Sequence, residues 1–264
     1  MNDLLKISIT AAIEAGKEIL DVYHNEFDVE TKADNSPLTE ADKRSHNKIK
    51  EMLSPLSIEM LSEEGKQLSY EDRKNWKRFW LIDPLDGTKE FIKRNGEFTV
   101  NIALVEEGVP VSGVVYVPVT GKMYYGSKDN GSYCFTVDGE ETKSVESYMQ
   151  SAEKLPDAAP PETFTIVASR SHNTPETEEF INEKREKYGN VNCVSSGSSI
   201  KLCLVAEGKA NIYPRLAPTM EWDTAAGHAV AKFAGCKVYN YNTGNELQYN
   251  KENLLNPWFV VERS

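Results

Sequence analysis

Two aspartates, Asp83 and Asp86, flank Pro84 and Leu85 in the hexapeptide Asp83-Pro84-Leu85-Asp86-Gly87-Thr88. Pro84 fixes its own φ, and a turn here folds Asp86 back toward Asp83, so both carboxylates converge on one point. The Leu85 carbonyl, inside that turn, is left to act as a third oxygen ligand. Carboxylate and carbonyl oxygens with no His or Cys among them suit a hard ion such as Mg2+. Gly87 and Thr88 lead into a helical turn whose N–H groups suit a phosphate. Taken alone, the hexapeptide also fits a plain Asp-Pro/Asp-Gly surface turn.

Other acids bear on the choice. Glu63 and Glu64 end a short strand, and Asp223 opens the helix that begins Trp222-Asp223-Thr224-Ala225-Ala226-Gly227. Asp42 stands three residues after Thr39, the spacing of a capping box with Thr39 as N-cap. Each has a bland role: a solvated acidic turn for Glu63 and Glu64, a dipole partner for Asp223, a helix cap for Asp42.

Taken together and in order, Glu63-Glu64, the Asp83–Thr88 hexapeptide and Trp222–Gly227 resemble the motifs of the lithium-sensitive, magnesium-dependent phosphatases of the inositol monophosphatase superfamily. The likeness runs from Lys32-Ala33-Asp34 to Asn256-Pro257. Within the superfamily, Thr88-Lys89-Glu90-Phe91 and Lys32-Ala33-Asp34-Asn35-Ser36-Pro37 are similar to the bacterial CysQ-type 3'(2'),5'-bisphosphate nucleotidases. The resemblance implies a layered α-β-α-β-α sugar-phosphatase-like fold and two or three Mg2+ ions. It implies that Glu63, Asp83, the Leu85 carbonyl, Asp86 and Asp223 hold the metals, with Asp83 bridging two of them. Asp42 and Thr88 match the pair that activates the nucleophilic water. Gly87, Lys89, Ser169, Arg170, His172, Gly197, Ser198, Lys201 and Asp223 match positions that contact substrate. Gly197, ahead of a helix start, is expected to let backbone approach a phosphate. The implied reaction is removal of the 3'-phosphate of 3'-phosphoadenosine 5'-phosphate, giving AMP, within sulfur metabolism. An inositol or sugar monophosphate phosphatase on the same frame is the alternative. A non-catalytic divalent-metal-binding protein is the reading from another class, and it would be expected to lack Asp42 or Thr88. An EF-hand is excluded because its D-x-[DN]-x-[DN]-G loop does not occur.

The charge balance poses a problem that metal ions would solve. The 264 residues carry 30 Lys+Arg and 41 Asp+Glu, a formal charge of −11. Such a chain is a poor partner for nucleic acid polymers, which need basic patches. A small phosphate ester is also repelled unless local cations dominate. The net charge is screened over about 8 Å at physiological salt, so bound metals with Lys89, Arg170 and Lys201 would set the local sign.

The elements that must position these residues are legible in the spacing. Apolar side chains at 4, 7, 11, 15, 19 and 22 predict a first helix, and a second starts at Thr39 and runs through Ile49, Met52 and Leu53. Short strands are expected at Ile58–Leu61 and Phe79–Ile82. Alternation and turn residues predict an antiparallel meander over 98–104, 109–117, 122–125 and 132–137. Residues 151–162 read as a linker. After it come strand 163–168, helix 175–187, strand 191–194, helix 200–207, strand 211–213, helix 224–234 and strand 236–239, an α/β alternation. The expectation is an α+β domain over residues 1–155 carrying most of the metal site. An α/β domain over 156–264 would carry the nucleotide contacts and the last ligand.

Hydrophobic residues at 39% and charged residues at 27% fit a globular chain. No run reaches the ~18 apolar residues of a membrane span. Asp3, Lys6, Glu14 and Lys17 leave no signal-peptide core at the N-terminus. Cys134, Cys193, Cys203 and Cys236 form no CxxC pair and read as buried free thiols. A cytoplasmic monomer is expected. The resemblance adds peripheral contact with the cytoplasmic face of the inner membrane as an open alternative.

Overall fold

The computed structural model describes residues 3–31, 37–138, 143–169 and 174–263. The Lys32–Ser36 stretch, Arg170 and His172 lie outside the described residues. In chain order the first half comprises α1 (Asp3–Tyr23), β1 (Val29–Thr31), β2 (Pro37–Thr39), α2 (Glu40–Leu53), β3 (Glu59–Ser62) and α3 (Tyr70–Arg73). It continues with β4 (Arg78–Asp86), α4 (Thr88–Ile92), β5 (Thr99–Glu106), β6 (Val109–Val117), β7 (Lys122–Ser127), β8 (Gly131–Thr136), α5 (Val145–Gln150) and β9 (Glu153–Lys154). The remainder is β10 (Phe164–Ser169), α6 (Pro175–Tyr188), β11 (Val191–Ser196), α7 (Ile200–Glu207), β12 (Ile212–Arg215), α8 (Glu221–Phe233), β13 (Cys236–Asn240) and β14 (Phe259–Arg263).

Strands β3 to β9 form a seven-stranded sheet in sequential order. Only β3 and β4 are parallel; the rest is the antiparallel meander that the alternating pattern and its turns dictate. The second sheet has five strands in the order β11-β10-β12-β14-β13. There the pattern misleads in one respect. The sheet is mixed, because β14, at the end of the chain, inserts antiparallel between β12 and β13.

Five layers follow from which faces are apolar. Helices α1 and α2 bury Leu5, Ile9, Ile19 and Ile49 against one face of the large sheet. The opposite face, with Phe79, Leu81 and Val115, packs on α7 and α8, whose other side meets Val238 and Val261 of the small sheet. Helix α6 closes the outside through Phe180 and Ile181. This is the α-β-α-β-α stack. Removing large side chains such as these from water is worth about 1.5–3 kcal/mol each, which drives the stacking.

Gly113 of β6 shows how closely the middle layer sits. A Cβ there would stand 2.4 Å from the Ala226 carbonyl and 2.8 Å from the Ala229 Cβ of α8. No described helix is long and apolar enough to cross a membrane. Cys134, Cys203 and Cys236 are buried free thiols as expected, but Cys193, on β11 at the edge of the small sheet, is exposed.

Candidate metal and phosphate site

The Asp83–Thr88 segment is not the surface turn its composition suggests. Strand β4 continues through it to Asp86, with a register shift against β5 between Asp83 and Asp86, and Asp83 is buried. The shift performs the work expected of a tight turn, because the one extra residue bends the strand and re-aims its side chains. Asp83 Oδ1 accepts the Leu85 N–H at 3.0 Å. Gly87 takes φ +96°, a left-handed conformation open to glycine, and starts α4 at Thr88.

Glu63, Asp83 and Asp223 each bring a carboxylate oxygen within 4.8 Å of the others. Glu63 follows the end of β3, Asp83 lies in the parallel neighbour β4, and Asp223 sits in the first turn of α8. Glu64 is not part of this group. Asp223 does not open its helix; it stands at the third helical position, where its Oδ2 accepts the Met220 N–H at 2.8 Å. Asp86 is fixed differently: the Ser199 hydroxyl lies 2.7 Å from its Oδ2 and 2.7 Å from the Asp223 carbonyl. Asn101 Nδ2 donates to Ser199 Oγ at 2.8 Å and reaches Asp86 at 3.4 Å.

Burial, and then the neighbouring carboxylates of Glu63, Asp86 and Asp223, push the Asp83 carboxyl well above the ordinary carboxylate range. Burial followed by Asp86 and Glu63 does the same to Asp223. Asp86 is raised by burial, with Lys201 and Ser199 opposing. Buried like charges at this spacing call for a cation between them. The donor set is all oxygen, so it fits a hard divalent ion such as Mg2+.

Asp42 is buried at the start of α2 and divides its oxygens. Oδ2 closes the capping box, accepting the Thr39 N–H at 2.8 Å and the Thr39 hydroxyl at 2.7 Å. Oδ1 accepts from Thr88 Oγ1 at 3.3 Å, and that hydroxyl also lies 3.4 Å from the Leu85 carbonyl. Ser45, one turn further along α2, donates to the Pro84 carbonyl at 2.7 Å and so ties the helix to β4.

Glu63, Asp83, Asp86, Thr88 and Asp223 open on a cavity of about 370 Å3 lined also by Gly87, Lys89, Ser198, Lys201, Tyr213 and Arg215. Lys201 is buried, not the solvated lysine its position on a helix first suggests. Burial brings its ammonium down to about 8, with Asp86 opposing. Lys201 Nζ donates to the Ser198 carbonyl at 2.5 Å. Ser198 itself holds φ +44°, a strained left-handed conformation, and its buried Oγ has no hydrogen-bond partner among the described residues. The expectation for Gly197 is corrected: its N–H is taken by Glu97 Oε2 at 2.8 Å and is not offered to the cavity. Ser169 ends β10, where the chain leaves the described residues.

Two residues that the sequence alone does not single out contribute here. Ser199 links Asp86 to Asp223. Arg215, at the end of β12, reaches the cavity with a buried Nε that has no hydrogen-bond partner among the described residues, while Nη2 donates to the Pro218 carbonyl at 2.9 Å. A basic residue closing a strand that follows a Gly-containing turn is too common a pattern to mark it.

Known proteins resemble this chain along almost its whole length. A family profile described as the inositol monophosphatase family matches residues 1–260. The chain is 46% identical over 255 residues to 3'(2'),5'-bisphosphate nucleotidase CysQ of Escherichia coli K12, covering 95% of this chain and 96% of that protein. It is 34% identical over 263 residues to the Haemophilus influenzae protein of the same name, covering 98% of this chain and 92% of the other. Among solved structures, CysQ from Bacteroides thetaiotaomicron superposes with a TM-score of 0.89 at 51% identity, covering 97% of this chain and 96% of that one. The suhB protein of Bartonella henselae, at 22% identity and a TM-score of 0.76, shares the fold.

Proposed function

The chain belongs to the inositol monophosphatase family, and within it we propose that the protein is a Mg2+-dependent 3'(2'),5'-bisphosphate nucleotidase. The observation that carries this reading is the pairing, in one cavity, of an all-oxygen cage with cationic and hydroxyl donors, of which Arg215 Nε and Ser198 Oγ have no hydrogen-bond partner among the described residues. A bisphosphate presents two dianions, one to hydrolyse and one to hold. Groups suited to both tasks line the one cavity.

Glu63, Asp83, the Leu85 carbonyl, Asp86 and Asp223 would hold the metal ions, taken as two and drawn from both the 1–155 and the 156–264 domain. Bound there, such ions neutralise charge on the phosphoryl oxygens and acidify water. The chain's own residues do the rest. Thr88 donates its hydroxyl proton to Asp42 Oδ1, which leaves Thr88 Oγ1 as an acceptor aimed at an attacking water. Asp42 then takes the proton through Thr88, acting as general base. Because Oδ2 of Asp42 is tied to Thr39, the receiving oxygen is held in place through the reaction.

In the same cavity Lys201, Arg215 and the Ser198 hydroxyl would grip the second phosphate, with Lys89, Ser169, Arg170 and His172 as further contacts. Gly197 shapes this wall and does not bind through its N–H. Binding energy from the remote phosphate can orient the reacting one, so its loss should lower turnover as well as affinity. In the cell such an enzyme would recycle the nucleotide of sulfur metabolism in the cytoplasm.

The deciding experiment measures phosphate release from 3'-phosphoadenosine 5'-phosphate, 3'-AMP and inositol 1-phosphate, each with Mg2+ and with chelator. The bisphosphate should have much the highest kcat/KM, and all release should need Mg2+. Lys201→Ala and Arg215→Ala should narrow the gap between the two nucleotides. Equal efficiency on all three substrates would sink the nucleotidase reading.

A further inference from the structure

Arg73 and Glu221 are among the buried charges that lie outside the cavity and are not used by the chemistry above. Arg73 ends α3, between the two strands that lead to Glu63 and Asp83, and is 2% exposed. Glu221 opens α8, which carries Asp223, and is 0% exposed. Neither residue is among those lining the cavity.

The segment 250–252 lies between them. Asn250 N–H donates to Glu221 Oε2 at 2.6 Å, and Lys251 N–H donates to Oε1 at 3.0 Å. On its other side the same segment turns acceptors toward the guanidinium. Arg73 Nη1 donates to the Lys251 carbonyl at 2.6 Å and to Asn250 Oδ1 at 2.9 Å, and Nη2 donates to the Glu252 carbonyl at 2.9 Å. Asn250 Nδ2 returns a bond to the Arg73 carbonyl at 2.8 Å. Asn250 adopts φ +66°, a conformation Asn tolerates well, and this lets its N–H and its side chain face opposite ways.

The peptide groups here therefore point N–H at a carboxylate and C=O at a guanidinium. Lys251 Nζ also pairs directly with Glu221 Oε1, and the peptide dipoles of 250–252 link that pair to the Arg73 guanidinium. Arg73 commits both terminal nitrogens to this segment while its buried Nε has no hydrogen-bond partner among the described residues, so a displacement of 250–252 would leave buried charge uncompensated.

The same bracket controls a metal ligand. Glu221 stands two residues before Asp223, and its own N–H donates to the Leu254 carbonyl at 2.9 Å. Asn256 Nδ2 adds a bond of 2.7 Å to the Met220 carbonyl and one of 3.0 Å to Thr224 Oγ1. Segment 250–256 thus grips the first turn of α8, and Arg73 anchors that segment to the part of the chain that carries Glu63 and Asp83.

We propose that Arg73 and Glu221, acting through residues 250–252, are positioning residues that hold Asp223 in register with Glu63 and Asp83, and so set the affinity for a divalent cation shared by the three carboxylates. The inference rests on the cation-binding part of the reading above, but not on the identity of the phosphate ester.

Calorimetric titration of the purified protein with Mg2+, without nucleotide, tests it. Groups that hydrogen-bond a metal ligand directly are typically worth 10–100-fold in metal affinity, and this network acts one step behind such a group. Arg73→Gln, Glu221→Gln and Asn250→Gly should each weaken Mg2+ binding by up to about tenfold. Turnover at saturating Mg2+ should stay close to the parent, a split that a general loss of fold would not give. The double variant Arg73→Gln/Glu221→Gln should lose less affinity than the two singles together, since they break one network. Asn250→Gly keeps the left-handed backbone and its N–H bond to Glu221, so it decides the matter if the charge variants do not fold. Unchanged Mg2+ affinity in Asn250→Gly, or a melting temperature that falls in all variants while affinity holds, would overturn the proposal. So would a parent protein that binds no Mg2+. A parent that binds Mg2+ but spares the bisphosphate would overturn only the assigned reaction.

Discussion

Asp42 and Thr88 are 46 residues apart in sequence, yet Asp42 Oδ1 accepts the Thr88 hydroxyl at 3.3 Å while the other oxygen of the same carboxylate caps helix α2. One side chain therefore serves stability through Oδ2 and chemistry through Oδ1. Asp42→Asn should abolish turnover but leave Mg2+ affinity within a few-fold, because Asp42 is not in the carboxylate cage. A stability loss of about 1 kcal/mol should accompany it through the weakened cap. Thr88→Ser should retain activity, whereas Thr88→Val should lose on the order of 10²–10⁴ in kcat. Collapse of metal affinity in Asp42→Asn, read by calorimetry, would move Asp42 into the cage.

The cage makes the metal-free protein sensitive to pH in an unusual sense. Asp83, Asp86 and Asp223 are all raised above their ordinary value of 3.8 in the folded chain. The folded state then binds more protons than the unfolded chain between 3.8 and the raised values. Stability from these groups is present at low pH and is lost as pH rises through that window. A bound cation reverses the cost of ionisation. In chelator, melting temperature should fall from mildly acid to neutral buffer, and Mg2+ should restore more stability at the higher pH. Asp83→Asn removes one crowded charge, so it should raise the metal-free melting temperature, erase the Mg2+ gain and remove nearly all turnover. A Mg2+ shift that is independent of pH would contradict the account.

Much of this was legible in local pattern, and what was not has a physical reason. Thr39 and Asp42 announce their cap by spacing, and Ile200–Glu207 is bounded by Ser199 and Gly208, so both elements read true. Asp83 misleads because Asp-Pro and Asp-Gly favour exposed turns, while here the strand runs on and only its register slips. Strand β14 is invisible because its place between β12 and β13 is decided by long-range pairing after the Asn-rich stretch 240–256. Arg73, Ser199 and Glu221 matter through partners far away in the chain, and Arg215 through the cavity it reaches, and no spacing rule reports either.

Helix α8 is seated on glycine, which gives a prediction remote from the cavity. With a Cβ at Gly113 placed 2.4 Å from the Ala226 carbonyl, either β6 or α8 must move. Gly113→Ala should cost ~1–3 kcal/mol, as overpacking does in tight cores. Because α8 carries Asp223, the shift should also weaken Mg2+ binding, which a denaturant midpoint alone would miss. A denaturation curve paired with a Mg2+ titration checks both, and a variant with unchanged cation affinity would show that α8 yields without moving its first turn.

Lys201 offers the sharpest test of the phosphate-holding role because its charge is conditional. Burial lowers its ammonium to about 8 from an ordinary 10.5. As pH rises through about 8, Lys201 becomes neutral in the free enzyme and its grip on a second phosphate weakens. The profile of kcat/KM reports groups of the free enzyme, so the bisphosphate should show a descending limb near that pH. 3'-AMP, which has no 5'-phosphate to hold, should show little of it. Lys201→Arg keeps its charge throughout this range and should remove the limb while retaining the preference for bisphosphate. Lys201→Ala should remove the limb and narrow the preference. The linkage to stability has the opposite sign from a lysine in an ion pair: the unfolded chain holds the proton more tightly, so the buried charge costs stability below about 8 and the cost fades as pH rises to 10.5. Lys201→Met should therefore stabilise the fold most in neutral buffer and little in alkaline buffer. A descending limb that persists unchanged in Lys201→Arg would assign the titration to another group and leave Arg215 as the principal holder of the second phosphate.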